Sequence, residues 1–339
     1  MRTHPILRPL AAGLVLSTAG MVLTGPAPAS AATTTHTVAV GSHPFDVAVS
    51  QSLGEAFVVN DGSVSVVSLL THRALAEVPT GGTNQNAIAL VRNDTRAYLT
   101  DFDGTSVVDL DTETRQVAGH IAVGDGAVDV ARANTAHGQR AYVARLHAKQ
   151  LAVVQTSTDQ VVQRIALPQE PQTVTTAPGG KTVAVGSANQ GRVYLVDTGT
   201  GKRRKTIKLD RVGPVASIAF APGGKRMWVA GLGGIAVVNS SSGKTVTVLP
   251  IGKVFPDSDA PNMGPIAFND SGSRLLVVDS TFPDAPGRGS VSVVDTRRYR
   301  VTSQVATGVE PEGLAMDNER HVAYVADYAD DTVTYFHRG

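Results

Sequence analysis

Past the first thirty-odd positions, apolar and polar residues follow a short, two-residue beat with frequent interruptions. Runs such as Asp46-Val47-Ala48-Val49, Phe57-Val58-Val59-Asn60 and Val64-Ser65-Val66-Val67 are short and rich in β-branched residues, and Gly or Asp turns bound them. Helical periodicity is missing throughout this region. The pattern recurs. Each unit has a Pro- or Gly-bearing approach, a strand ending near a small residue, a turn, an apolar strand pair and a more polar fourth strand such as Gln163-Arg164-Ile165 or Ser303-Gln304-Val305. Seven anchors mark the units: Ala48, Ala89, Ala131, Thr175, Ala219, Ala267 and Ala315. They stand roughly 41 to 48 residues apart, a period that predicts a propeller when every segment is a strand. The expected fold is all-β, a seven-bladed β-propeller.

The ends of the pattern carry a further expectation. The last unit stops after its third strand, Val333-Thr334-Tyr335-Phe336. The first is preceded by a spare one, Thr35-His36-Thr37-Val38-Ala39-Val40, with the character of a fourth strand. The N-terminal strand should complete the last blade and close the ring, leaving no sheet edge open.

The pieces Tyr324-Val325-Ala326-Asp327 and Val291-Ser292-Val293-Val294-Asp295-Thr296 resemble the YVTN repeat. That repeat is found in YncE-like secreted propellers and surface-layer proteins, and is related to that of lactonase-type seven-bladed propellers. The resemblance spans about residues 36–339. Blade 3 departs from it with Arg145 where other blades have Asp or Asn, and blade 4 with Gly186-Ser187. It implies the fold. It says little about function, because the motif is made of strand and turn residues.

The first 31 residues read differently. Arg2 and Arg8 precede an apolar run from Leu10 to Leu23, and Ala29-Ser30-Ala31 closes the segment. This is the pattern of a cleaved signal peptide, with the cut expected between Ala31 and Ala32. The expected organisation is therefore a signal peptide at 1–31 and a propeller at 32–339, secreted, without a membrane span, and a monomer. The chain has no Cys, which removes disulfides, a lipid-anchored thioether, thiol catalysis and covalent c-type haem. With 30 Lys+Arg against 29 Asp+Glu, no overall field draws it to nucleic acid. The one basic run, Lys202-Arg203-Arg204-Lys205, is expected in the turn between the third and fourth strands of blade 4. Trp228 is expected in the core.

Propeller topology gathers the loops between blades, and those between second and third strands, on one face. Two loops there are long, Lys253–Pro265 and Ser280–Gly289, and long ordered loops are often functional. Their Asp257, Asp259, Phe282 and Asp284 are binding candidates. The same face should collect Asp46, Asn60, Asn86, Asp101, Asp103, Asp129, Glu170, Gln172, Glu312 and Asp327. Among the acids, Asp101, Asp103, Asp279 and Asp327 could hold Ca²⁺ or Mg²⁺, although Asp and Asn at strand ends also serve turns. No other cofactor is indicated. His43, Arg145 and His147 give that face its basic groups and are the acid–base candidates. The nucleophile elbow, zinc-helix, phosphate-loop and dinucleotide motifs are absent.

Three functions stay open. The first is a binding module for a protein, glycan or small molecule at the blade-six loops. The second is a lactonase-like hydrolase or a lyase with a central polar, metal-assisted site. The third, weaker, is a DNA-binding propeller.

Overall fold

Strands buried on both faces should read as continuous apolar runs, and strands with one wet face should alternate. The computed structural model, which describes residues 33–82, 84–251, 264–279 and 288–337, has this division in every blade. Seven four-stranded antiparallel sheets each pair consecutive strands from the ring centre outward. The innermost strands of blades 1 to 7 are Asp46–Ser50, Ile88–Val91, Ala127–Thr135, Pro171–Thr176, Val215–Phe220, Ile266–Phe268 and Pro311–Asp317. Second and third strands are almost wholly buried, as in Glu55–Asn60 and Ser63–Ser68 of blade 1. The outermost strands are more exposed, and some alternate, as Gln160–Ala166 does.

The closing strand lies where the pattern predicted. Thr35–Ala39 pairs antiparallel with Thr332–His337, with Val38 opposite Val333, and becomes the outermost strand of blade 7. The core is shared between blades rather than held within them. Phe57 and Val59 of blade 1 meet Leu90 and Leu99 of blade 2. At the closing seam Tyr324 and Val333 of blade 7 meet Val47 and Val58 of blade 1. Seven such apolar clusters, one per pair of neighbouring blades, complete the ring. Trp228 is buried in the cluster between blades 5 and 6, with the rings of Phe268 and Tyr299 at 5.9 and 5.8 Å.

The Asp-Thr pair that ends several third strands explains itself locally. Oδ1 of Asp295 accepts the amides of Arg297 and Arg298, both at 2.9 Å, which closes the outer hairpin turn. The next residue, Thr296, donates its hydroxyl to the Gly272 carbonyl in the turn after the innermost strand, at 2.6 Å. Thr112 and Thr198 do the same to Asp94 and Gly180, so the repeated pair ties two turns together in blades 2, 4 and 6.

The basic run sits differently from its expected turn. Only Lys202 is in the turn; Arg203 begins the outermost strand of blade 4, Arg203–Lys208. Its side chains are engaged locally. Arg203 lies over the Tyr194 ring, Arg204 is 3.5 Å from Asp197, and Lys205 donates to the Ser241 carbonyl at 2.6 Å. No helix among the described residues is long and apolar enough to cross a membrane.

Candidate functional site

Each innermost strand starts at the face that carries the inter-blade loops. Just before it settles into its ladder, the chain passes the ring axis. In blades 3, 4, 5 and 7 this start is a β-bulge, with register shifts between Ala127 and Asp129, Pro171 and Thr173, Val215 and Ser217, and Pro311 and Gly313. A bulge leaves one residue outside the ladder and re-aims its side chain. The residues so released are Val128, Gln172, Ala216 and Glu312, and all four line a single cavity of about 350 Å³ at the centre of the ring.

The cavity wall has two layers, the positions three and two before the anchor of each repeat. The outer layer is Phe45, Asn86, Val128, Gln172, Ala216, Gly264 and Glu312. The inner layer is Asp46, Ala87, Asp129, Thr173, Ser217 and Pro265. Blade 7 has Gly313 at the corresponding place, where a Cβ would come within 2.7 Å of the Asp46 backbone. Only glycine lets blades 7 and 1 approach that closely.

The inner layer also stitches the ring. Asp46 accepts the Ile88 amide of blade 2 at 3.1 Å and the adjacent Val47 amide at 2.8 Å. Asp129 accepts the Val174 amide of blade 4 at 2.7 Å, the Thr173 hydroxyl at 3.0 Å and the Val130 amide at 2.7 Å. Ser217 accepts the Ile266 amide of blade 6 at 3.2 Å. Thus blades 1, 3 and 5 each cap an inner-strand amide of the following blade.

These acids are hard to ionise. Burial pushes Asp46 up to about 7, against the lowering effect of its amide donors and with a small upward push from Asp129. Burial raises Asp129 to about 6. Glu312 is pushed up to about 7, first by burial and then by the Glu310 charge. Glu312 is exposed to the cavity, and the protein packed around it on its other sides is what opposes its charge. It makes no hydrogen bond or ion pair with the other described residues. Beside these acids, Asn86 has a buried Oδ1 without a hydrogen-bond partner among the described residues.

Of the residues expected from the sequence, Asp46, Asn86, Asp129, Gln172 and Glu312 meet in this cavity. The other described candidates do not line it. Asn60 is buried and donates to Ser63 and Ser65. Asp101 accepts the Gly104 amide in a tight turn, and Asp103 accepts from Asn84. Glu170 accepts from Asn189. Asp327 is buried and caps the Gly308 amide and the Thr334 hydroxyl. Asp279 ends the second strand of blade 6. The four metal candidates are therefore spread over blades 2, 6 and 7, and no group of three or more His, Asp or Glu among the described residues is placed to hold a metal.

The basic candidates are likewise not joined to one another. His43 donates its amide to Asp331 and its ring lies 4.7 Å from that of Tyr328. His147 packs edge-on to Phe102. Arg145 is buried and pairs with Asp125 at 2.9 Å. Asp257, Asp259, Phe282 and Asp284, with most of both long blade-six loops, lie outside the described residues.

Phe45, Val128, Thr173, Ala216 and Ser217 were not among the sequence-derived candidates. The signal was present in the repeat alignment, because all of them fall in the columns three and two before the anchors.

No protein-family model matches the chain, and no curated protein matches it in sequence. Solved structures match in shape. A chain of the structure described as Kuenenia stuttgartiensis hydrazine synthase superposes with a TM-score of 0.76 at 19% identity, over 93% of this chain and 99% of that one. At that identity the likeness is one of fold. The fold and cavity together define a seven-bladed β-propeller with an acidic central cavity.

Proposed function

We propose that this chain is an exported propeller of the YVTN, YncE-like type that works as a binding module, taking its ligand in the central cavity on the inter-blade loop face. The repeat residues support the family reading and the N-terminal segment supports export. One observation carries the placement of the site: bulges at the starts of four inner strands turn side chains into one cavity of about 350 Å³ to which all seven blades contribute. A rigid ring whose lining differs from blade to blade suits recognition.

Ala216→Trp tests this placement. It fills the cavity from blade 5 and leaves the acids in place. In a thermal-shift screen of small molecules, a ligand at one hundred times its dissociation constant should stabilise the wild type by about 2.7 kcal/mol. The expected result is at least one stabilising class that loses its effect in the variant. Ligands that stabilise both proteins equally would place the site elsewhere.

A catalytic reading, as a lactonase-like hydrolase or lyase, is favoured by one feature. Glu312, held near 7 and without a partner among the described residues, has the character of a general base. Lactone or lyase turnover that survives Glu312→Gln would count against it.

A further inference from the structure

The cavity is electrically one-sided. Glu312, Asp46 and Asp129 stand on blades 7, 1 and 3, with Asn86 of blade 2 between the two aspartates in ring order. Among the described residues, the wall from blades 4, 5 and 6 carries no charge; it offers amide and hydroxyl groups beside Ala216 and Pro265. No ion pair among the described residues involves any of the three acids. Where another charge acts on Asp46 or Glu312, it is a further acid, Asp129 or Glu310, so it raises the cost of ionising them. Asp46 and Asp129 spend some of their lone pairs on backbone amides, but a carboxylate has about four acceptor positions, and Glu312 has all of its own free of described partners. The acidic side therefore offers acceptors and negative charge, with nothing of opposite sign paired to it among the described residues.

We propose that the cavity binds a small organic cation bearing N–H donors, an alkylammonium or alkylguanidinium, with its charged end towards Glu312, Asp46 and Asp129 and its carbon body towards Ala216 and Pro265. This rests on the reading of the cavity as the binding site. The acids are spread along one side of the wall, on three different blades, rather than gathered on one point. That arrangement matches a cation whose N–H groups point several ways better than a single metal ion. It also makes binding proton-linked. A cation favours the ionised carboxylates, so its arrival should expel protons near neutral pH, and acid should weaken it.

Isothermal titration of the full chain with butylamine, 1,4-diaminobutane and butylguanidine tests this, with butanol, butyrate and Ca²⁺ as comparators. The amines should bind and butanol and butyrate should not. If one carboxyl of pKa about 7 must be ionised, affinity should fall roughly thirtyfold from about pH 8 to about pH 5.5. Glu312→Gln should weaken the amines about tenfold or more at the higher pH without lowering the melting temperature, because Glu312 makes no structural hydrogen bond. Ala216→Trp should abolish binding. If butanol, butyrate or Ca²⁺ binds while the amines are silent, and Ala216→Trp removes that binding, the organic-cation assignment is wrong and the cavity reading stands. If amine binding is indifferent to Glu312→Gln or strengthens in acid, the assignment is also wrong. If no probe responds to Ala216→Trp, both readings fail together.

Discussion

Asp46 and Asp129 hold the ring together and also shape its cavity, and those roles pull in opposite directions. Their oxygens cap inner-strand amides of the next blade, while burial makes each costly to ionise. Glu312 has only the second property among the described residues, which makes it the clean probe. Its folded-state pKa of about 7 lies above the ordinary 4.5, so the folded protein binds its proton more tightly than the unfolded chain does. Stability from this group is therefore gained as pH falls through about 7 and is complete below the ordinary value; it is lost as pH rises through 7. Glu312→Gln cannot titrate. In denaturant melts, the wild type should lose stability relative to this variant between about pH 5 and pH 8. Parallel curves would mean that Glu312 is no harder to ionise than a surface acid. Little of this was legible in the sequence. Asp46, Asn86, Asp129 and Glu312 stood out as polar residues at strand starts, but so did Asn60, Asp101 and Asp327 at strand ends, and those are consumed by turns and caps. What separates the two groups is the strand they belong to: the first lie at or just before the starts of innermost strands and the second at or just past the ends of second strands, and only at Glu312 does a bulge re-aim the side chain.

The blades themselves were easier to read. Doubly buried strands give unbroken Val, Ala and Tyr runs, and the spare N-terminal strand could go only where a fourth strand was missing. The seam it closes has chemistry that spacing could not reveal. Tyr324, Tyr335 and His36 lie opposite one another across three strands of blade 7. His72, from the outer turn of blade 1, stacks on Tyr335 at 4.0 Å and its Nδ1 is 3.1 Å from the Tyr324 hydroxyl. Burial holds the His72 pKa below its ordinary 6.5, and the neighbouring His337 and His36 lower it further. The sign is opposite to that of Glu312. A depressed histidine contributes stability that is present above 6.5 and lost as pH falls from there towards the folded-state value. Acid should loosen this seam first. Hydrogen exchange of Thr35–Ala39, corrected for intrinsic rates, should gain an opening step between about pH 6.5 and pH 5. His72→Phe should keep the aromatic stack and remove that step. An acid step unchanged in His72→Phe would assign it to another group.

In the whole molecule, seven inter-blade clusters leave the ring centre as the one place where every blade contributes a side chain that the core does not need. The long blade-six loops drew attention in the sequence because length is visible there. The central cavity did not, because it is assembled from single residues about forty positions apart. Because the chain has no Cys, a single thiol can be placed inside the cavity without competition. Ala216→Cys, treated with a small thiol reagent under native conditions, reports whether this space is open and whether a ligand fills it. Ready labelling that slows in the presence of 1,4-diaminobutane is the expected result. A thiol that reacts only when the protein unfolds, or at a rate no amine alters, would contradict the assignment of the ring centre as the binding site.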